Sequence, residues 1–309
     1  MQGRGLDDGG AKMNFNEEMA SLASQVEAYL EGYFERLLET SEKSLIQSMR
    51  YSVMAGGKRI RPVLVLAVAK VLDVGTKEIL PFAAAIEMIH TYSLIHDDLP
   101  AMDDDEYRRG KLTNHMVYGQ ALAILAGDAL LNEALELLMK NALDARDKMK
   151  NALAAAYIVA NAAGKDGMIA GQVIDMESEG KTIEAETLKR MHRKKTGALL
   201  KASVLAPAVY ASAPDQILNA LTEYADSIGI AFQIKDDILD VESSTEALGK
   251  SVGSDARNHK TTYVSLFGLE KAKMLLHEVT QNAVSTLLPF GEKAWFLKET
   301  AQYIASRIN

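Results

Sequence analysis

Two crowded sets of aspartates carry the first chemical signal, HDDLPAMDDDEYRRG at 96–110 and FQIKDDILD at 232–240. In the second, Asp236 and Asp240 are four residues apart, so on a helix they stack on one face, about 40° from each other, with Asp237 about 100° round. Like charges at that spacing cost roughly 0.2–0.5 kcal/mol in an isolated helix. A helix that accepts this beside Phe232, Ile234, Ile238 and Leu239 calls for a cation, although either set by itself could be a solvated acidic face. In the first set Asp97 and Asp98 follow an apolar helical run, and Pro100 disturbs the helix within the next turn. Asp103 can then return to the mouth of the same site, which a straight helix would forbid at a spacing of six. His90 lies two turns deeper than Asp97 on nearly the same face. Oxygen donors without thiolates suit a hard cation, Mg²⁺ first. That ion takes one or two carboxylates, keeps waters and shares substrate phosphates, so the two aspartate sets suit a metal cluster around a phosphate ester.

Basic residues alternate with these motifs: GGKRIRP at 56–62, Arg108–Arg109, RKKTG at 193–197, Lys250 and Lys260. Arginine forks match phosphate oxygens in pairs and lysines act as point charges. Any one of them could be ordinary surface charge; their alternation with metal-type acidic motifs is the signal. Other phosphate and metal chemistries fail. Gly249-Lys250-Ser251 mimics the end of a P-loop, but the first glycine position holds Ser244; Gly57-Lys58 is followed by Arg59, with Ser52 upstream. Glu87–His90 supplies one ExxH where a di-iron bundle needs two, and there is no GxSxG elbow.

The elements that must carry these residues read as helices. Six prolines and 6% aromatics, with abundant Ala, Leu, Met, Glu and Lys, favour helix over sheet. Leu22, Val26, Tyr29, Leu30, Tyr33 and Leu37 fall at helix-face spacings. Similar faces recur near 63–72, 82–96, 121–139, 151–163, 199–210, 221–240 and 263–278. The run VLVLAVA at 63–69 could pass for a buried strand, but its Pro62 start and its continuation through Leu72 favour a helix. The stretch 152–163 is apolar almost all round, which predicts a central, buried helix. No linker or repeat divides the chain after Met13. The expectation is one all-α domain over 13–309, preceded at 1–12 by a disordered leader or expression remnant.

Composition narrows the partners. With 34 basic and 42 acidic residues the net charge is −8, which argues against nucleic acid. No uncharged apolar run approaches the roughly 18 residues of a membrane span. The absence of cysteine excludes disulfides, thiolate zinc sites and a cysteine nucleophile, and no oxidising compartment is required. A cytoplasmic protein is expected.

Taken in order, GGKRIRP, HTYSLIHDDLPAMDDDEYRRG, GMIAGQVIDMESEG, KKTGALL and FQIKDDILDV followed by GKSVGSD resemble the trans-prenyl diphosphate synthases, most closely the bacterial farnesyl diphosphate synthases (geranyltranstransferases). The resemblance implies an all-α, single-domain helical bundle around a deep central cavity, and a homodimer. It implies condensation of isopentenyl diphosphate with dimethylallyl and geranyl diphosphate, dependent on about three Mg²⁺ ions per site, with Mn²⁺ as a substitute. Asp97 and Asp103 match the first metal ligands, with Asp98 and Asp104 in support; Asp236 matches the ligand of a third ion, with Asp237 and Asp240 acting through waters. Lys58, Arg61, His90 and Arg109 match positions that hold isopentenyl diphosphate. Arg108, Lys195, Lys250 and Lys260 match those that grip the allylic diphosphate. Thr196 and Gln233 match positions facing the developing cation, and Gln172 and Asp175 partners on the neighbouring helix.

Within the resemblance, Tyr92 and Ser93, just upstream of Asp97, correspond to the cavity floor that limits product length. The bulky Tyr92 favours farnesyl, with geranylgeranyl or geranyl diphosphate as alternatives. A class I terpene cyclase would carry a different second metal motif and no GGKRIRP, and a non-catalytic subunit would lack one aspartate motif.

Overall fold

The computed structural model describes residues 14–246 and 261–308. The chain starts on a reciprocal cap: Glu17 N–H donates to Asn14 Oδ1 at 3.0 Å and Asn14 N–H donates to the Glu17 carboxylate at 3.1 Å. Helix α1 (Phe15–Thr40) then buries a stripe of Leu22, Val26, Leu30 and Phe34, spaced by four as the sequence pattern requires.

Two helices form the centre. The first, α3 (Ile60–Val71), follows α2 (Lys43–Val53) and is buried along almost its whole length, so VLVLAVA is helical as expected. Pro62 sits in its first turn, where a missing N–H breaks no helical bond. The second, α4 (Thr76–Asp97), buries an unbroken run from Pro81 to Ile89 and ends on the first aspartate of the motif. A hairpin, β1 (Tyr107–Arg108) and β2 (Lys111–Leu112), follows and is the only sheet among the described residues. Short α5 (Asn114–Tyr118) leads into α6 (Gln120–Asp144), which packs on α4.

The next helix, α7 (Met149–Ala163), corrects one expectation. It is not central: Ala152, Ala155, Ala156 and Val159 face α6 and α10, while Leu153 and Tyr157 stand out at 57% and 70% exposure. The small alanines allow close packing on one side, and the large apolar side chains lie on the other.

Beyond it come α8 (Met168–Ser178), α9 (Ala185–His192), a π-helical turn (Arg193–Gly197) and α10 (Ala198–Tyr210). The long α11 (Asp215–Glu246) carries the second aspartate motif. The apolar face near 263–278 is divided at Gly268 between α12 (Tyr263–Phe267) and α13 (Leu269–Thr286). The last helix, α14 (Trp295–Ser306), is pinned to α11 by the buried Tyr224, whose hydroxyl donates to the Leu297 carbonyl at 2.7 Å. That docking delivers the C-terminal residues to the site. No helix among the described residues is long and apolar enough to cross a membrane.

Candidate active site

Asp97 is the last residue of α4, and the chain turns back immediately after it. Met102 N–H donates to the Leu99 carbonyl at 2.8 Å and Asp103 N–H donates to the Asp97 carbonyl at 2.9 Å. Asp103 is thereby returned to the end of the helix, as the proline after Asp98 suggested. The negative end of a helix is an unfavourable place for a carboxylate. Burial is the main cause that pushes the Asp97 carboxyl up to about 6; Lys195 opposes the shift and Asp103 reinforces it. The end of α4 therefore favours a cation.

Asp98 does something else. It is buried and accepts from Arg108 Nε at 2.6 Å, and the pair lines a small cleft beside the hairpin rather than the cavity under Asp97. Arg108 also reaches Asp105 at 3.5 Å. This bracket ties β1 to the helix end. Asp104 is exposed in the same loop.

The π-helical turn brings the next groups inward. One extra residue in the turn displaces the backbone from the regular ladder. It comes so close to α8 that a Cβ on Gly171 would overlap the Lys195 backbone nitrogen. Lys195 Nζ donates to Asp175 on α8 at 2.6 Å. Lys195 and Thr196 line two cavities at once. One, of about 350 Å³, also holds Asp97, Gln172, Tyr92 and Ser93 with the apolar Met168, Ile169 and Val173. That size falls in the small-molecule range of roughly 300–1,000 Å³. The hydroxyl of Tyr92 is buried there without a hydrogen-bond partner among the described residues. The other cavity holds Asp175, Gln233, Asp236 and Asp237.

On α11 Gln233 Nε2 donates weakly to Asp236 at 3.4 Å. Asp237 is buried and accepts from the Tyr263 N–H at 2.6 Å, so it anchors the start of α12. Asp240 is half-buried one turn further on. Asp236 is paired with a residue whose place the sequence left open: Arg307, just beyond α14, donates to its carboxylate and to the Phe232 carbonyl at 3.2 Å. The guanidinium carbon also sits 4.0 Å above the Phe232 ring. Burial raises the Asp236 carboxyl, against the pull of Arg307. A lone arginine near the chain end has no pattern that would have pointed to it.

A third cavity gathers the GGKRIRP residues. Lys58, Arg61, His90 and Arg109 line it together, with Glu87 and Phe232 in its wall, and Arg61 and His90 also face the Asp97 cavity. Nε of Arg61 is buried without a hydrogen-bond partner among the described residues. Burial first, and then the surrounding arginines, hold His90 well below its usual pKa, so it is neutral at pH 7. Arg109 lies across the loop and donates to the Gly56 carbonyl. Only glycine at 57 permits this: its φ is +125° and a Cβ would lie 2.5 Å from the guanidinium carbon of Arg109. Lys250 and Lys260 lie outside the described residues.

Among the described residues no three carboxylate or histidine groups close a metal site by themselves. Asp97 closes α4, Asp103 lies in the turn after it, and Asp236 belongs to α11. Their all-oxygen donor set still fits Mg²⁺, which binds through one or two carboxylates and completes its shell with waters and phosphate oxygens.

A family model described as polyprenyl synthetase matches residues 42–286. The chain is 44% identical to the farnesyl diphosphate synthase of Micrococcus luteus over 96% of its own length and 98% of that protein. It is 47% identical to the geranylgeranyl diphosphate synthase of Cyanophora paradoxa, covering 86% of this chain and 88% of the other. The crystal structure of a farnesyl/geranylfarnesyl diphosphate synthase from Zymomonas mobilis superposes with a TM-score of 0.82 at 36% identity, covering 93% and 99% of the two chains.

The Arg109–Gly57 contact can be tested directly. Gly57→Ala should expel Arg109 from the loop and weaken pyrophosphate binding by roughly tenfold in calorimetry, the equivalent of about 1.4 kcal/mol. Unchanged affinity would show that the contact does not shape the basic cavity.

Proposed function

The chain belongs to the polyprenyl synthetase family, and we propose that it builds farnesyl diphosphate by condensing isopentenyl diphosphate head-to-tail with dimethylallyl and then geranyl diphosphate. The observation that carries this reading is the sequence of cavities. An acidic one and an apolar one share Lys195 and Thr196, and the apolar one shares Arg61 and His90 with a basic one. Two diphosphates can thus flank one dry hydrocarbon space.

In this reading Asp97, Asp103 and Asp236, with Asp240 in support, would hold Mg²⁺, about three ions with Mn²⁺ as a substitute, and these would supply positive charge to the departing allylic diphosphate; Asp98 would serve them through the hairpin it ties to the end of α4. Lys195, steadied by Asp175, adds a point charge on the same group, alongside the matching Lys250 and Lys260, while Arg108, committed to Asp98, acts there only through the field it exerts at Asp97. The side-chain oxygens of Thr196 and Gln233 face the allylic carbon as positive charge develops there. Met168, Ile169 and Val173 exclude water that would quench that charge. Lys58, Arg61, neutral His90 and Arg109 hold isopentenyl diphosphate so that its double bond meets the allylic carbon. A new carbon–carbon bond forms, the carbon–oxygen bond to pyrophosphate breaks, and a proton leaves to the released pyrophosphate.

Tyr92 supports the farnesyl product, because its buried ring lies in the wall of the cavity that receives the tail. The Cyanophora relative favours geranylgeranyl diphosphate as a second reading. We also assign residues 13–309 to one domain, a cytoplasmic location consistent with the absence of cysteine, and a homodimer. An exposed apolar band formed by Leu125, Met139 and Leu143 on α6 with Met149, Leu153 and Tyr157 on α7 supports the last assignment.

Mass analysis after incubation with both diphosphates and Mg²⁺ should give farnesyl diphosphate, and Asp236→Ala should lower the rate by at least about a hundredfold with the melting curve retained. A hydrocarbon product, or no turnover by the natural sequence, would overturn the reading. Tyr92→Ala should lengthen the product, with geranylgeranyl diphosphate appearing; an unchanged product would remove Tyr92 from the floor. Light scattering should give twice the chain mass, and Leu153→Glu with Tyr157→Glu should halve it; a monomeric natural protein would refute the dimer.

A further inference from the structure

GGKRIRP supplies three cations, Lys58, Arg59 and Arg61, and all three border the basic cavity, but the guanidinium of Arg59 is taken up by protein groups. Arg59 has a left-handed backbone, φ 50°, which a non-glycine residue rarely adopts. Its side chain, 1% exposed, explains why it stays there. Nε donates to Glu27 on α1 at 3.2 Å, Nη1 to Glu87 on α4 at 2.5 Å, and Nη2 to the Val53 carbonyl at the end of α2 at 2.7 Å. All three guanidinium nitrogens are used, each on a different helix. Arg59 also starts α3, since Val63 N–H donates to its carbonyl at 3.0 Å.

Glu87 presents the converse puzzle. It is 2% exposed, lies one turn before His90, and is the one carboxylate among the described residues that line the basic cavity. In a pocket for a diphosphate, a carboxylate acting only through its charge would repel the ligand. Its contact with Arg59 gives it another role. We propose that Glu87, through its buried ion pair with Arg59, is a positioning residue for isopentenyl diphosphate, holding the loop in the one conformation that aims Lys58 and Arg61 at the ligand. The inference rests on the reading of this cavity given under Proposed function. Glu87 also attracts Arg61 and Arg109, offsetting the repulsion between them.

The two roles predict opposite signs. Glu87→Gln keeps the shape and removes the charge. If Glu87 only repels the ligand, binding tightens; if it positions the loop, binding weakens. Arg59→Lys keeps the charge but loses the three-way fork, so it tests the same pair where Glu87→Gln fails to fold. Both variants should raise KM for isopentenyl diphosphate, and the metal-free calorimetric Kd for inorganic pyrophosphate, by roughly tenfold. KM for geranyl diphosphate should stay within about twofold. Unchanged or tighter pyrophosphate binding would overturn the positioning role, and so would equal losses for the two substrates, the mark of a general structural effect. The functional reading is judged separately, on whether the natural enzyme condenses the two diphosphates at all.

Discussion

Like charges crowded into a helical core must be balanced within a few ångströms, and the whole site is arranged around that constraint. Asp97 stands at the negative end of α4 and is opposed by Lys195. Asp98 is matched by Arg108, Asp236 by Arg307, and the cations of the basic cavity by Glu87. Each balancing residue comes from a different element, so electrostatic balance and tertiary structure are one problem. Asp98, Arg307 and Glu87 are themselves buried, so removing their partners leaves a charge uncompensated in a medium less polar than water.

Close packing makes the pairings reachable. Gly171 lets α8 touch the π-helical turn, which sets Lys195 beside Asp175. Gly57 lets Arg109 cross the loop that carries Lys58. The apolar helices α3 and α4 supply the rigid frame, buried along most of their length, from which the polar ends project. Precision at the site follows from the density of that frame.

Much of this was legible in the sequence. The apolar periodicity of α1, α3 and α4, the turn after Asp97 and the aspartates of α11 all follow from local rules. Helical spacing and proline chemistry act over a few residues, and a linear chain displays them. The misjudged helix at 152–163 shows where such rules end. Its composition is apolar all round, but which side is covered depends on the size of the alanines facing α6 and α10. The roles of Asp98 and Asp237 were likewise hidden. An aspartate in a metal-type motif can instead brace a hairpin or start a helix, and its partner 10 or 26 residues away decides which.

By itself, the sequence determined the all-α class, the membership of the two aspartate sets and the kind of cation and anion they suit. Those properties depend on residue type and short-range spacing. Only the tertiary structure decided that Arg307 meets Asp236, that the guanidinium of Arg59 joins three helices, and that Lys195 and Thr196 stand between two cavities. Pairing of charges remote in sequence depends on which helices pack together and how closely, a property of the assembled core that no single stretch of chain contains.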